Sequence, residues 1–459
     1  MSIPVVVTGI GPVSAIGCGR DAFWDSLMAG RHGFGPITQC DVSNIACKIG
    51  AEIRDFKLED YLEGGKLMGR RTPRPVQFAL AAGVLALHDA EIDLDACDPD
   101  RFGVHVGTSL GNAEDTFRLR DMWHAKGAVP PHAAFHCFNH SAACVISSIF
   151  NISGPIYTTS QGCNSGVDAL GQSMRLIQAG SADAMLVIGT DCELVQEIMA
   201  GLAASNSLAT RYNDNPGEAS RPFDMGRDGN IIGEGAGALL LESEQHAQAR
   251  KARVYARIAG YMIASSGQRV YSADNPDVDT RPMVRAMRGA IKEAGWQPSD
   301  VDLINANGSS SVLYDRIEAL ALQEVFGDAL PNTRLHSIKS MLGQHGAGSS
   351  ALQAVSSCLS IRRGYAPPTI NHTDPDPACG PLRVVTEAER CFPERVLMHS
   401  TGLGGFYSSC AVFQSTEVSD LLSSGKFTVQ WSEREHRKFK PTAQFREALR
   451  PWTPDAFDE

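Results

Sequence analysis

The sequence contains no closely spaced pair of cysteines, although 12 cysteines are distributed among its 459 residues. No C-x-x-C motif occurs, and no cysteine spacing is typical of a metal site. Single cysteines scattered through a long chain indicate reduced and mostly buried thiols, as in a cytosolic protein. We therefore expect no disulfide framework and no metal centre.

The sequence also lacks an uninterrupted apolar stretch long enough to span a membrane. Its N-terminus starts with a strand-like segment, residues 4–8, and shows neither the basic nor the apolar region of a signal peptide. Basic residues are in the minority, since 41 Lys and Arg stand against 52 Asp and Glu and the net charge is -11. A nucleic-acid partner would need a basic surface. These absences predict a cytoplasmic protein that binds no nucleic acid.

The first half of the sequence shows a regular alternation of strand-like and helix-like segments. β-Branched runs predict strands at Val5–Thr8, Phe102–Gly107, Ala184–Gly189 and Ala238–Leu241. Alanine-rich patterns predict helices at Pro75–Asp89 and Gly166–Gly180. This alternation favours an α/β fold with buried sheets.

The same alternation begins again after about Arg253. The predicted strands are Val254–Gly260, Asp302–Ala306 and Arg334–Ile338, and the predicted helices are Met283–Ala294, Asp315–Phe326 and Ser349–Arg362. Two similar blocks indicate a pseudo-duplicated core with halves at residues 1–253 and 254–414. The charged and aromatic segment 415–459 resembles an appended extension that wraps the surface or a partner. The preferred interpretation is a partly ordered extension with no role in the chemistry.

Cys163 is the candidate nucleophile. It lies between an extended segment that ends in small residues and the helical pattern that follows. A thiol at a helix N-terminus feels the positive end of the helix dipole, so we expect a lowered pKa and a thiolate without a dedicated base. Gly162 and Gly166 are expected to keep the corner clear for a thioester carbonyl. Without further context, a small buried hydrophobic role is the alternative for such a cysteine.

Residues 154–171 resemble, without a gap, the active-site elbow of the beta-ketoacyl-ACP synthases (ketosynthases), with Cys163 at the family's nucleophile. Further matches occur in the family's order at residues 7–11, 219–224, 227–229, 233–237, 339–341, 367–371 and 402–405. The resemblance covers roughly residues 3–414. It implies a thiolase-like, five-layered α-β-α-β-α fold built from two pseudo-duplicated halves.

The resemblance also shows a departure from the family pattern. Condensing members use two histidines beside the cysteine, and the matching positions here are Asn307 and Gln344. An amide NH2 can donate a hydrogen bond to a thioester oxygen, but it cannot exchange a proton near neutral pH. The general acid–base contribution, typically ~10²–10⁴-fold, would then be lost. His345 is one residue beyond the family position and is the candidate for a replacement base, although a structural role is the alternative.

Four other positions take their expected roles from the resemblance. Lys339 and Glu318 match the family's buried lysine and its acidic partner, and we expect a structural ion pair between them. Thr401 and Leu403 replace phenylalanines that gate the acyl pocket, which predicts a differently shaped channel. Gly404 belongs to the terminal glycine loop and is expected to line the substrate site.

Two functions follow from the resemblance. The first is an acyltransferase of fatty-acid or polyketide biosynthesis that is acylated on Cys163, with condensation weakened or replaced by another transfer or by cyclisation. The second is a non-condensing partner subunit of the chain-length-factor type. Either implies an acyl carrier protein as partner, with substrates carried on its phosphopantetheine and no other cofactor. Either also implies a homodimer or a ketosynthase heterodimer with a sheet that continues across the interface.

Overall fold

The computed structural model describes residues 3–131, 133–265, 279–402 and 438–440 with their side chains, and the backbone of residues 406–413. Leu403, Gly404 and most of the predicted extension lie outside these residues. No helix in the described ranges is both long enough and apolar enough to cross a membrane.

The strands of the described chain alternate with helices over its full length. They are β1 (Val5–Ser14), β2 (Gly17–Cys18), β3 (Phe34–Pro36), β4 (Ile49–Ala51), β5 (Phe102–Gly107), β6 (Ile156–Thr159), β7 (Ala184–Cys192), β8 (Glu234–Ser243), β9 (Ala256–Ser265), β10 (Leu303–Asn305), β11 (Arg334–His336), β12 (Tyr365–Ala366), β13 (Arg383–Val384), β14 (Glu389–Arg390), β15 (Arg395–Gly402) and β16 (Phe406–Phe413).

The α-helices pack on both faces of these strands and between them. They are α1 (Arg20–Met28), α2 (Gly65–Gly69), α3 (Arg74–Asp89), α4 (Ala113–Lys126), α5 (Ala133–His136), α6 (Ser141–Phe150), α7 (Ser165–Gln178), α8 (Gln196–Ala204), α9 (Glu244–Ala249), α10 (Arg281–Glu293), α11 (Val312–Phe326), α12 (Lys339–Leu342) and α13 (Gly346–Arg363).

The strand order repeats in the two halves of the chain. The first half has the order β6-β5-β7-β8-β1 and the second has β11-β10-β15-β16-β9. In each, the first three strands run parallel and the last two join antiparallel. A short antiparallel contact between β1 and β9, Val5–Val7 with residues 256–258, joins the halves into one path.

Helices complete five layers. α3 packs on β1, β7 and β8 on one outer side, and α10 packs on β9 and β16 on the other. α7 and α13 contact each other and lie between the two groups of strands, with α13 contacting both β7 and β15. Apart from Gln353, α13 has only small or apolar side chains from Gly346 to Ile361, and this whole stretch is buried, as a central helix requires. The predicted α-β-α-β-α architecture is confirmed.

One short segment of the C-terminal region is described. The backbone of Phe439 pairs with residues 61–63. Its N–H donates to the Tyr61 carbonyl and its carbonyl accepts from the Glu63 N–H, both at 2.9 Å. Its ring meets Phe150 edge-on, with centroids 4.8 Å apart, and lies beside His88. The Phe439 side chain thus packs against the core of the N-terminal half.

Candidate active site

The turn that carries Cys163 connects β6 to α7. Gly162 adopts a left-handed φ of 67°, a conformation that favours glycine. The Ser165 hydroxyl donates to the Gly162 carbonyl at 2.7 Å and accepts the Gln161 N–H at 2.7 Å. These bonds close the turn around Cys163, which is partly exposed at the corner. The predicted placement of this residue at the N-terminus of a helix is confirmed.

Gly166 has a role different from the expected one. A Cβ there would lie 2.4 Å from the Ala347 carbonyl oxygen and 2.7 Å from the Ser350 hydroxyl. The missing side chain therefore lets α7 and α13 approach each other closely, rather than clearing a path for a thioester. Gly189 in β7 lies against the same carbonyl, since a Cβ added there would be 2.4 Å from the Ala347 carbonyl oxygen.

The expected thiolate is not supported at Cys163. Burial raises the pKa of the Cys163 thiol to about 12, and the buried carboxyl of Glu193 adds to the increase. Lys339 and a hydrogen bond with the Gln344 side chain lower the pKa, but by less. A helix terminus typically contributes ~0.3–1 kcal/mol, which is too little to offset the loss of hydration. The sulfur is therefore protonated at rest.

Gln344 lies beside the nucleophile. Its side chain hydrogen-bonds to Cys163 and favours the ionised sulfur, so the amide NH2 is the donor. The backbone of Gln344 is fixed on both sides, because its N–H donates to Ile231 at 2.7 Å and its carbonyl accepts from Gly233 at 2.8 Å. Its side-chain Oε1 is buried without a hydrogen-bond partner among the described residues.

Asn307 is the second amide of the site. Its Oδ1 accepts from Lys339 Nζ at 2.5 Å and from the Thr401 N–H at 3.1 Å. Two donors on one atom identify it as the oxygen, so the Nδ2 amine is the donor end. Residue 401 thus enters the site through its backbone. The adjacent Gly402 lies against the nucleophile turn, since a Cβ there would be 3.3 Å from the Gln161 carbonyl oxygen.

The expected ion pair between Lys339 and Glu318 is wrong. The carboxylate of Glu318 accepts from the N–H groups of Asn307 and Gly308, at 2.7 and 2.8 Å, and pairs with His399 Nδ1 at 2.7 Å. Lys339 instead donates to the Asn307 side chain. The asparagine therefore stands between the lysine and the glutamate.

Lys339 carries a buried amine, with 1% of the residue exposed. Burial lowers the pKa of Lys339 to about 8, while Cys163, Glu318 and Asp315 favour its charged form. At neutral pH the ammonium form predominates. It supplies positive charge next to the amide of Asn307.

The side chain of His345 makes its contacts with residues other than Cys163. Its ring packs against Gly235 and Gly348, where a Cβ would come within 3.4 and 2.9 Å of the ring. Burial and the nearby Lys339 lower the pKa of His345 to about 3. The imidazole is therefore neutral at the pH of an ordinary assay, and among the described residues neither ring nitrogen has a hydrogen-bond partner.

Two residues of the site were missed by sequence reasoning. Glu193 is buried and raises the pKa of the Cys163 thiol. Burial and the neighbouring Asp191 raise the pKa of the Glu193 carboxyl well above its usual range, and a hydrogen bond from the Gly346 N–H partly opposes this increase. Tyr314 lies in the first turn of α11, where burial raises the pKa of its phenol and the nearby Cys163 adds to the increase. The available signal for Glu193 was a pair of acids, with Asp191, at the end of a buried strand. Tyr314 gave no sequence signal.

A surface cavity of about 560 Å³ lies elsewhere and includes none of these residues. It is lined by His32, Phe34, Gly35, Pro36, Arg54, Asp214, Asn215, Pro216, Gly217 and Glu218. Within the described ranges, no group of three or more His, Cys, Asp or Glu side chains is arranged to hold a metal ion.

A duplicated five-layered sandwich, with a cysteine at the turn before one of its two central helices, is typical of a thiolase-fold protein. The family model of the beta-ketoacyl synthase N-terminal domain matches residues 2–247, and that of the C-terminal domain matches residues 255–373. The chain therefore belongs to the beta-ketoacyl synthase family.

Two curated relatives are named 3-oxoacyl-[acyl-carrier-protein] synthase 2. The one from Synechocystis sp. is 34% identical over 403 residues, covering 87% of this chain and 95% of the relative. The one from Staphylococcus aureus strain MRSA252 is 34% identical over 420 residues, covering 91% and 99%. This chain is therefore similar to ketosynthases along nearly their whole length.

Solved structures show the same likeness. A type II polyketide-synthase acyl-carrier protein in complex with its ketosynthase, AntDE:AntF, matches with a TM-score of 0.82 and 29% identity, over 90% of this chain and all of the other. The ishigamide ketosynthase/chain length factor matches with a TM-score of 0.80, 29% identity and the same coverage. A beta-ketoacyl synthase from Burkholderia phymatum STM815 matches with 0.82 and 30%, again over 90% and 100%.

Proposed function

We propose that this chain is a ketosynthase-like acyltransferase that takes an acyl group from a carrier-protein thioester onto Cys163. The observation that carries the proposal is the arrangement of two amides at the nucleophile. Gln344 donates to the Cys163 sulfur, and the two donors on Asn307 Oδ1 leave its Nδ2 as a hydrogen-bond donor. A neutral donor is suited to a thioester oxygen that gains negative charge.

The transfer step balances without a cofactor. Cys163 gives its proton to water, its sulfur forms a bond to the thioester carbonyl carbon, and the carbonyl oxygen becomes an oxyanion that Asn307 Nδ2 stabilises. Collapse breaks the bond to the phosphopantetheine sulfur, which takes up a proton from water and leaves as a thiol. The raised pKa of Cys163 makes deprotonation a costly part of this step.

Condensation is expected to be weak. In the family resemblance, Asn307 and Gln344 occupy the positions of the two histidines that assist loss of carboxylate. Neither amide transfers protons near neutral pH. His345 does not replace them, because its pKa of about 3 keeps the ring neutral and its contacts are with Gly235 and Gly348.

A chain-length-factor-type partner subunit is the second candidate. It is favoured by the protonated resting state of Cys163 and by the likeness to a structure that contains a chain length factor. An intact nucleophile turn, with a hydrogen-bond donor aimed at the sulfur, favours the enzyme.

The experiment is intact-mass spectrometry after incubation with acetyl-, butyryl- and octanoyl-loaded acyl carrier protein. We expect an adduct of the acyl mass that Cys163→Ala abolishes and that Cys137→Ala, which removes an exposed thiol, leaves unchanged. Carbon dioxide release from malonyl-loaded carrier protein should be slow. Absence of any Cys163 adduct would favour the partner subunit, and rapid release of carbon dioxide would contradict the assignment of the two amides.

A further inference from the structure

We propose that Lys339 and Asn307 act as one charge-assisted donor, in which the buried ammonium polarises the asparagine amide toward the thioester oxygen. This inference rests on the proposed acylation of Cys163. It makes Lys339 a positioning and polarising residue that acts through Asn307, without giving up a proton.

The contacts of Asn307 support this role. Lys339 Nζ is 2.5 Å from Oδ1, and the Thr401 N–H donates to the same oxygen at 3.1 Å. The N–H of Asn307 donates to Glu318 at 2.7 Å. The side chain is therefore held at its oxygen and the backbone at its nitrogen, which fixes the direction in which Nδ2 points.

The surroundings of Lys339 favour a single strong bond. The residue is 1% exposed and starts the short helix α12. The charged and titratable groups around it are Cys163, Glu318 and Asp315, with His345 also within electrostatic range. Glu318 is occupied by two backbone N–H groups and His399. Asn307 Oδ1 thus takes the hydrogen bond that a direct ion pair would have taken.

The chemical effect follows from hydrogen-bond cooperativity. A bond from an ionised donor is roughly twice as strong as a neutral one. It withdraws electron density from the amide, and each bond in such a chain is strengthened by about 10–30%. The Nδ2 hydrogen becomes more positive and holds the developing oxyanion more tightly. No bond is made or broken at Lys339, so the balance of the transfer step is unchanged.

A double-mutant cycle tests the coupling. The acylation rate of Cys163 is measured with whichever of the acetyl-, butyryl- and octanoyl-carrier proteins reacts fastest, for wild type, Lys339→Met, Asn307→Ala and the double variant. Each rate is divided by the rate at which iodoacetamide alkylates Cys163 in the same variant, which removes the direct effect of Lys339 on the pKa of the thiol. Loss of an oxyanion donor costs ~10²-fold, which we expect for Asn307→Ala. We expect ~10-fold for Lys339→Met. The double variant should be no slower than Asn307→Ala, because Lys339 then has no amide to polarise.

Multiplied losses of this ratio in the double variant would overturn the inference, because Lys339 would then promote the transfer without Asn307. A wild type with no acylation at all would instead overturn the proposed function. Circular dichroism and thermal unfolding check that each variant folds.

A measurement without a lysine variant covers the case in which Lys339→Met does not fold. The acylation rate is divided, at each pH, by the rate of Cys163 alkylation by iodoacetamide, which removes the shared dependence on thiolate. The ratio should fall as the pH rises through about 8, where Lys339 loses its proton, and should be flat in Asn307→Ala. A flat ratio in wild type would contradict the inference.

Discussion

Two buried groups of opposite charge face the Cys163 thiol. Glu193 raises its pKa and Lys339 lowers it, with Glu193 the stronger of the two. Glu193 follows β7 and is covered by the start of α13, where the Gly346 N–H donates to it. Burial is the largest cause of the raised pKa of Cys163, and an enclosed carboxyl from the end of another strand adds to it.

Glu193→Gln should make Cys163 more acidic. The Glu193 carboxyl raises the pKa of the Cys163 thiol, whereas a glutamine carries no charge and removes this effect. A shift of one pKa unit would raise the alkylation rate at pH 9 by ~10-fold, measured with iodoacetamide and peptide mass spectrometry. Glu197→Gln, at an exposed position in the same segment, should have no effect. An unchanged rate in Glu193→Gln would show that the carboxyl does not control the thiol.

At this scale the sequence predicted which residues form the site but not how they pair. Gln344 contacts Cys163 and Asn307 contacts Lys339 and Thr401, while the catalytic roles of these residues stay a prediction. The partner of Lys339 was predicted incorrectly, because the pairing depends on where the asparagine amide sits between two distant segments. The direction of the pKa shift at Cys163 was also missed, because burial is a property of the packed site and not of the local sequence.

At the scale of secondary-structure elements, the helices α7 and α13 determine the position of Cys163. α7 begins two residues after Cys163, and α13 begins two residues after Gln344. Their close contact at Gly166 brings the two N-termini together. The thiol and its amide donor therefore meet because two central helices start side by side.

Gly166→Ala should destabilise this contact. The new methyl group would lie 2.4 Å from a backbone carbonyl oxygen, which forces the helices apart. We expect a loss of ~1–3 kcal/mol, seen as a lower urea midpoint, together with slower acylation. Gly201→Ala is the matched control, since Gly201 lies in α8 and a methyl group added there would have nothing within 4 Å. That change should stabilise by up to ~1 kcal/mol; equal midpoints for the two variants would contradict the packing argument.

The predicted element types were confirmed, whereas several ends differed. The prediction for β5 matches its bounds, and the central helix α7 starts one residue earlier than expected. β7 continues past Gly189 to Cys192, and β9 continues past Gly260 to Ser265. Both extensions pair with strands far away in sequence, β8 and β16. Pairing with a distant strand determines where a strand ends, and this pairing cannot be predicted from the local periodicity of the sequence.

At the scale of the whole molecule, β6 forms one edge of the main sheet among the residues that the structure describes. It pairs with β5 on one side, and its Ile156 and Tyr157 side chains are 41% and 48% exposed. Phe135 and Phe138 are further exposed aromatic residues in the preceding segment. Unpaired edges with apolar side chains are prone to pairing with another chain. This geometry supports the proposed homo- or heterodimer with a continuous sheet.

A double substitution, Ile156→Lys with Tyr157→Glu, should weaken this association. Charges on the edge strand would be desolvated at the interface, so we expect a shift from dimer to monomer by size-exclusion chromatography with light scattering. If the natural partner is a different ketosynthase, co-purification of the two chains should fall instead. Met225→Glu, an exposed apolar position elsewhere, should change neither. A double variant that associates like wild type would exclude β6 as the interface.

The packing of Phe439 against the N-terminal half affects the order in which contacts form during translation. Phe150 and His88 belong to the N-terminal half, yet the aromatic ring that packs on them comes from Phe439, far downstream in the sequence. On the ribosome this half emerges first and cannot make this contact until residue 439 has been synthesised. A polypeptide that stops after the last strand would keep an uncovered apolar patch on its surface, and chaperones that bind such surfaces would retain it.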